Sequence, residues 1–544
     1  MVHGTGTEWF RMAQGDSTAH DAAGSTRPTA DTQARPIVDT AYGRLAGERI
    51  GSVDRYRGIP YAASPVGKRR FLSPAPPAPW SGTRMATSLG HPCPQDNPDY
   101  PNWLDPVPES EDCLFLNVWT PARARSSELP VMVWLHGGGC RYGSAGAPGY
   151  DGAVLADRAD AVVVSVNHRL NVFGYLWLGD VVPGLAAHAM PGQRDIVAAL
   201  AWIRDNIAGL GGDAGNVTLF GQSGGGLKIS ALLATPEAKG LFHKAIIQSG
   251  SQLSVMNRDD ANKITAAVLE KLGATRMDLD RLQEFSVQQL KEAARAVVDE
   301  VGGLAFQPVV DGSLLPRQTW AQGAPPESRD IPLMIGTTSH DGLAALEDGT
   351  PIESDEELKR QFLASEWIAP LPEGTFERLV RHHRKISPGM TRRELLVAMI
   401  TDLGMLAPAV RQAEKKLADR GAPVYFYEFA WRTPCYDSSW AIHSVELPFV
   451  FGNLVQGTAW DGLDDDALRS AHDPANERYR LAEETIAAWA AFAHRGNPST
   501  PSLYWPEYVL QTRSTMVFDR GGSTVENDRN AARRMLTDGL PTWI

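Results

Sequence analysis

The sequence predicts an α/β protein: a mainly parallel, doubly wound sheet with helical insertions over one end. Three observations predict it. Short, almost wholly apolar runs recur at residues 130–135, 161–166 and 333–336, with a further strand pattern at 244–250, as expected of strands covered on both faces. Helix-patterned stretches such as 195–210 separate them, and strands alternating with helices build parallel sheets. At residues 216–226 a β-prone run ends abruptly in a glycine-flanked serine and passes directly into a helical run.

Taken in order, the composition becomes globular from Pro36, with a hairpin start at 40–47 and an extended segment at 56–62. The proline-dense segment 73–80 can only be an extended surface loop. Residues 110–119 alternate and then become a buried strand. The strand 130–135 runs into His136-Gly137-Gly138-Gly139-Cys140, and 161–166 into Asn167-His168-Arg169. An amphipathic helix at 195–210 precedes the serine turn. Residues 259–301 are helical and charged, an excursion over the top of the sheet. The strand 333–336 empties into Thr337-Thr338-Ser339-His340-Asp341-Gly342, a second helical region runs to about 420, and the strand 424–430 leads to the loop of His443. A helix through Trp489 and a last turn at Trp505-Pro506 end the pattern. With no repeat and no linker after residue 36, residues 36–544 are expected to form a single catalytic domain, and 1–35, rich in small polar residues, a disordered tail.

The chain has 544 residues, 43% of them hydrophobic, and a net charge of −12. That charge argues against nucleic acid or an anionic membrane surface as partner. No run approaches the 18 apolar residues of a membrane span, and the N-terminus lacks a signal peptide's basic start and apolar stretch, so a cytoplasmic protein is expected. Four cysteines are too few for a disulfide framework and lack the paired spacing of a zinc site. No metal or organic cofactor is expected; the sequence leaves the oligomeric state open.

The chemistry is concentrated in two glycine-rich stretches. In Gly221-Gln222-Ser223-Gly224-Gly225, strand, tight turn and helix form a nucleophile elbow. The turn strains the serine backbone and packs strand against helix where side chains would collide. It lifts the Ser223 hydroxyl clear of the sheet, above a helix N-terminus. In His136-Gly137-Gly138-Gly139, bare backbone can approach a substrate and direct successive N–H groups at an oxyanion. Serine needs a base oriented by a third group, and in this kind of elbow the chain order is Ser, acid, His. Asp341, after the strand 333–336, and His443 meet that order, with Glu347 and Asp348 as other carboxylates at the acid position.

With these residues in place, the chain resembles the type B carboxylesterase/lipase family, which includes cholinesterases and bacterial p-nitrobenzyl esterases. The resemblance runs from about residue 40 to 519. It rests on Gly58-Ile59-Pro60-Tyr61-Ala62, Glu111-Asp112-Cys113-Leu114-Phe115-Leu116-Asn117, His136-Gly137-Gly138-Gly139, the elbow with Asn216-Val217-Thr218, Gln248-Ser249-Gly250-Ser251, and the stretch 443–453. It implies an α/β-hydrolase fold, with Ser223 as nucleophile, Asp341 as acid and His443 as base. It implies Gly138, Gly139 and Gly224 as oxyanion-hole donors, and a disulfide between Cys93 and Cys113. Three departures stand out: Gln222 and Gly224 where the family usually has Glu and Ala, Asp341 where it usually has Glu, and Cys140 in place of a common aromatic. Loss of the anion at Gln222 weakens any case for a choline substrate. Asp341 is one methylene short, so its loop must move inward or its contact with His443 lengthen. The small Cys140 side chain is expected to widen the acyl pocket.

Other candidates have plainer roles. Trp103 occupies a loop where cholinesterases stack choline, but here it reads as loop packing. Glu446, three residues after His443, reads as structural rather than as half of a metal site. Ser249 stands either behind the triad or as a buried strand-end hydroxyl, and His382-His383 as a solvated helix face. The function expected is a serine carboxylesterase acting on a small-molecule ester through an acyl-enzyme. Its rivals are the same triad acting on carbamates or amides or transferring the acyl group to an alcohol, and, from another class, a catalytically inactive cholinesterase-like binding module.

Overall fold

The computed structural model describes residues 35–96, 107–124, 128–274, 279–342, 351–368, 370–418, 420–435, 438–454 and 466–541. The stretch up to residue 34, nearly all of the expected tail, lies outside the described residues.

Among the described residues the frame is an eleven-stranded sheet. Its strands in chain order are β1 Glu48–Ile50, β2 Val53–Pro60, β3 Phe115–Pro121, β4 Leu129–Leu135, β5 Val162–Val166, β6 Gly212–Gln222, β7 Lys244–Gln248, β8 Leu333–Thr338, β9 Val424–Phe429, β10 Ser514–Asp519 and β11 Gly522–Asn527. Across the sheet the order is β11-β10-β9-β8-β7-β6-β4-β5-β3-β2-β1. From β10 to β5 neighbours run parallel, and antiparallel pairs close both edges.

The apolar runs become strands because each side of them finds an apolar layer. Along β4, Leu129, Val131, Val133 and Leu135 join one layer, while Met132 and Trp134 join the other. Val162, Val164 and Val166 of β5 face the first layer and Val163 the second, the two-residue period of a pleated strand. Helix α1 (Pro191–Asn206) covers the first layer with Ile196, Leu200 and Ile203. The helix Glu477–Arg495 covers the second with Leu481, Ile486, Trp489 and Phe492.

Register brings the carboxyl ends of the central strands into one row. Leu135 pairs with Gly221, Gln248 with Gln222, and Gly336 with Gln248. The residues that follow each strand therefore meet at one end of the sheet, where ligands of open α/β sheets bind.

The second helical region forms its own apolar core. Helices Asp355–Ala364, Thr375–Ile386 and Arg392–Ile400 enclose Leu358, Phe362, Leu379, Leu395 and Met399. It is fastened to the loop after β8, where the Gly342 N–H donates to Thr401 Oγ1 at 2.8 Å.

The structure adds what the sequence reading lacked at the C-terminus. The chain does not finish at the Trp505-Pro506 turn: the β10–β11 hairpin and the helix Ala531–Thr537 follow. The hairpin extends the sheet through parallel pairing of Phe426 with Thr515. Its sequence signal was the Gly521-Gly522 turn, where both glycines have positive φ.

Helix α2 (Gly224–Leu232) follows β6 with no intervening loop. A Cβ on Gly221 would stand 2.8 Å from the Leu135 oxygen and from the Gly225 carbonyl carbon, and a Cβ on Gly225 would run into the Leu135 oxygen. Gly225→Ala should therefore lose about 1–3 kcal/mol of stability through overpacking, read from a denaturant melt. Unchanged stability would contradict the close approach of strand and helix.

Candidate active site

At the row of strand ends, Ser223 adopts φ 54° and ψ −124°. Such backbone strain costs about 1–3 kcal/mol and persists only where the surroundings over-determine it. Here the Ser223 N–H donates to the Gln248 carbonyl at 2.8 Å and its own carbonyl accepts from Leu227 at 3.0 Å. One strand over, Ser249 repeats the device, with φ 46° and an N–H bond to the Gly336 carbonyl at 2.9 Å.

His443 and Asp341 meet beside this turn. His443 Nδ1 lies 2.7 Å from Asp341 Oδ1. The other carboxylate oxygen accepts from the Thr338 N–H at 2.9 Å and from Ser249 Oγ at 3.0 Å. Asp341 is fully buried, so every bond to it counts. The shorter acid reaches the imidazole because its loop is laced to that of His443: the His340 N–H donates to the Ala441 carbonyl at 3.1 Å, and the Ala441 N–H to His340 Nδ1 at 3.2 Å. The contact is not lengthened. Glu347 and Asp348, the other carboxylates considered, lie outside the described residues. Ser249 stands directly behind Asp341.

With Nδ1–H given to Asp341, His443 Nε2 carries the lone pair. Gln222 Nε2 donates to it at 2.9 Å. Among the described residues no hydrogen bond links Ser223 Oγ to the imidazole, and the Gln222 amide holds His443 Nε2 in this arrangement. The sequence marked Gln222 only as a missing anion; this bond joins residues 221 positions apart and had no local signal. Trp367, from the second helical region, stands edge-on to His443 with ring centroids 5.1 Å apart. It too was beyond sequence reasoning.

The glycines of the His136 loop reach the same place. Gly138 and Gly139 have φ of 84° and 62°, the left-handed region that glycine occupies without steric cost. The Gly138 carbonyl accepts from the N–H groups of Arg141 and Tyr142 at 3.1 and 3.2 Å, which curls the loop on itself. A Cβ on Gly224 would strike the Gly139 backbone, so the two segments touch, and this accounts for glycine where the family usually has alanine.

Behind Asp341 and His443, Glu446 is fully buried and accepts from Gln248 Nε2 at 3.1 Å, while Gln248 Oε1 accepts from Trp489 Nε1 at 3.3 Å. Burial first, and the nearby Asp341 charge second, push its pKa up to about 7. No cluster of three His, Cys, Asp or Glu side chains suited to a metal exists among the described residues, and no helix there is long and apolar enough to cross a membrane. His383 is buried, with Nε2 3.1 Å from the Asp402 carboxylate, rather than solvated. Trp103 lies outside the described residues.

The cysteines need one correction. Cys93 and Cys113 are buried neighbours but stand as free thiols, not the disulfide that the resemblance implied. The Leu170 N–H donates to Cys93 Sγ at 3.3 Å. Burial, with a thiol–thiol hydrogen bond to Cys93, pushes the Cys113 pKa well up, so little thiolate is present to start disulfide chemistry. Cys140 is buried, beside Tyr175 and Lys228.

Fold and site together define an α/β-hydrolase. The profile of the carboxylesterase family matches residues 34–535. The para-nitrobenzyl esterase of Bacillus subtilis (strain 168) is 38% identical over 505 residues, covering 92% of this chain and 97% of that protein. The liver carboxylesterase of Sus scrofa is 32% identical over 553 residues, covering 93% of this chain and 92% of its own. A solved thermophilic PNB esterase superposes with a TM-score of 0.79 at 36% identity, covering 92% of this chain and all of that one. The chain belongs to the carboxylesterase family, and it is a serine hydrolase of carboxylic esters.

A carboxylate at position 222 would favour the protonated imidazole. Gln222→Glu should therefore move the acidic limb of the kcat/KM profile to higher pH by about 1 unit. A limb that stays in place would show that Gln222 does not face His443 Nε2 in solution.

Proposed function

We propose that Ser223, His443 and Asp341 act as nucleophile, base and acid in the hydrolysis of small carboxylic esters. The observation that carries this is the buried 2.7 Å contact between His443 Nδ1 and Asp341 Oδ1, set beside the strained serine. Substrate entry brings Ser223 Oγ into the place now held by the Gln222 amide. Ser223 Oγ attacks the ester carbonyl as its proton passes to His443 Nε2, and Asp341 stabilises the imidazolium. The N–H groups of Gly138, Gly139 and Gly224 receive the oxyanion. The imidazolium then protonates the leaving alcohol, and water attacks the acyl-enzyme by the same route.

The names of the relatives make p-nitrobenzyl and p-nitrophenyl esters suitable first substrates. The free thiols of Cys93 and Cys113 suit the reducing compartment expected from the sequence.

On p-nitrophenyl acetate, butyrate and octanoate, Ser223→Ala should lower kcat by about 10⁴-fold or more, and Asp341→Ala by about 10²–10⁴-fold. Equal turnover by wild type and Ser223→Ala would overturn the assignment. Matched carbamates and amides should turn over more slowly than the esters.

A further inference from the structure

Lys228 sits on α2, five residues after Ser223, and is fully buried. No carboxylate forms an ion pair with it among the described residues. Its Nζ donates to the His136 carbonyl at 3.2 Å. Gly225 and Lys228 lie three apart on one helix face, and that face packs on the end of β4. A Cβ on Gly225 would run into the Leu135 oxygen and come within 3.2 Å of the His136 oxygen. The tethered carbonyl belongs to the peptide directly before the one that carries the Gly138 N–H.

The titratable groups facing the lysine come from three segments. His136 and Cys140 are on the loop after β4, and His168 is on the loop after β5. Tyr175, from the short helix Asn171–Tyr175, stands behind Cys140. The buried Asp195 of α1 is already engaged by Arg169, at 2.6 and 2.8 Å. The His136 and His168 rings stack in parallel with centroids 4.8 Å apart. Their Nδ1 atoms bond to the carbonyls of Gly137 and Arg169 at 2.9 and 3.0 Å. Both Nε2 atoms are therefore lone pairs, buried without a hydrogen-bond partner. Burial, reinforced by the Lys228 charge, holds both rings neutral, His136 down to about 3 and His168 well below its usual value. The ammonium thus faces acceptors and no anion.

We propose that Lys228 is a positioning residue for the oxyanion loop: its buried ammonium, bonded to the His136 carbonyl, fixes the backbone of Gly137, Gly138 and Gly139 and adds positive potential where the oxyanion forms. This rests on Ser223 as nucleophile and on those glycines as donors. Burial lowers the lysine's pKa to about 8. It is charged at neutral pH and loses its proton in the alkaline range, later still when an oxyanion is bound nearby. The rate should accordingly fall at about pH 8 and above.

The experiment compares wild type, Lys228→Met, Lys228→Gln and Ser223→Ala on p-nitrophenyl butyrate from pH 6 to 9.5, with inhibition by an aryl trifluoromethyl ketone, whose adduct carries an oxyanion. Lys228→Met removes a desolvated charge but also the donor to the His136 carbonyl, so its thermal melt is recorded beside its kinetics to show that it is folded. It should keep KM within about 2-fold, lose about 10-fold in kcat, weaken ketone binding by a similar factor and lose the alkaline limb. Lys228→Gln, which can still donate to the His136 carbonyl, should recover part of kcat without the limb. A wild-type profile that stays level to pH 9.5, a limb that survives in Lys228→Met, or a kcat within 2-fold of wild type would each overturn the inference. Those results together with loss of turnover in Ser223→Ala would leave the nucleophile assignment standing. Turnover surviving in Ser223→Ala would overturn both.

Discussion

The site depends on one close approach, that of β6 to α2 across the end of β4. Gly221 and Gly225 leave no side chain between them, and the Leu135 carbonyl fills the space a Cβ would take. This contact forces the strained backbone at Ser223, and the neighbouring Gln248 carbonyl holds it there through the serine N–H. It also sets the helix N-terminus beneath the hydroxyl and brings Gly224 against Gly139. Ser223, Gly139 and Gly224 are thus placed by backbone packing, which shifts little as side chains move.

Asp341 and His443 arrive from later strands, and each is fixed by bonds that do not involve the other. Thr338 and Ser249 hold the carboxylate, the His340–Ala441 hydrogen bonds hold the two loops together, and Trp367 stands against the imidazole. Such preorganisation is what a reaction through charged intermediates requires, since dipoles already aligned need no reorganisation at the transition state. The charge pattern around the site follows the same logic. Imidazoles at 136 and 168 are kept neutral by burial, Glu446 sits near its titration point, and Lys228 supplies a buried positive charge.

What could be read in the sequence was local. The apolar runs of β4 and β5 alternate between two apolar layers, so their periodicity carried the signal. The elbow and the His136 loop were legible because glycine is demanded at fixed backbone positions. The order Ser, Asp, His followed from the chain's path along the strand ends. What stayed hidden depends on distant packing. The bond from Gln222 to His443, the position of Trp367 and the burial of Lys228 are each set by segments far away in the chain. The β10–β11 hairpin was missed because its short alternating run was outweighed by the Trp505-Pro506 turn before it. The disulfide was misjudged because nearness of two sulfurs does not oxidise them.

The measurement that tests the central claim most directly is covalent trapping of the nucleophile. The protein is incubated with diethyl p-nitrophenyl phosphate, and the modified peptide is mapped by mass spectrometry alongside the release of p-nitrophenol. One phosphoryl group per chain on Ser223, absent from Ser223→Ala, with loss of esterase activity in proportion to labelling, is the predicted result. Labelling at another residue such as Cys140, or full activity after stoichiometric labelling of Ser223, would contradict the account.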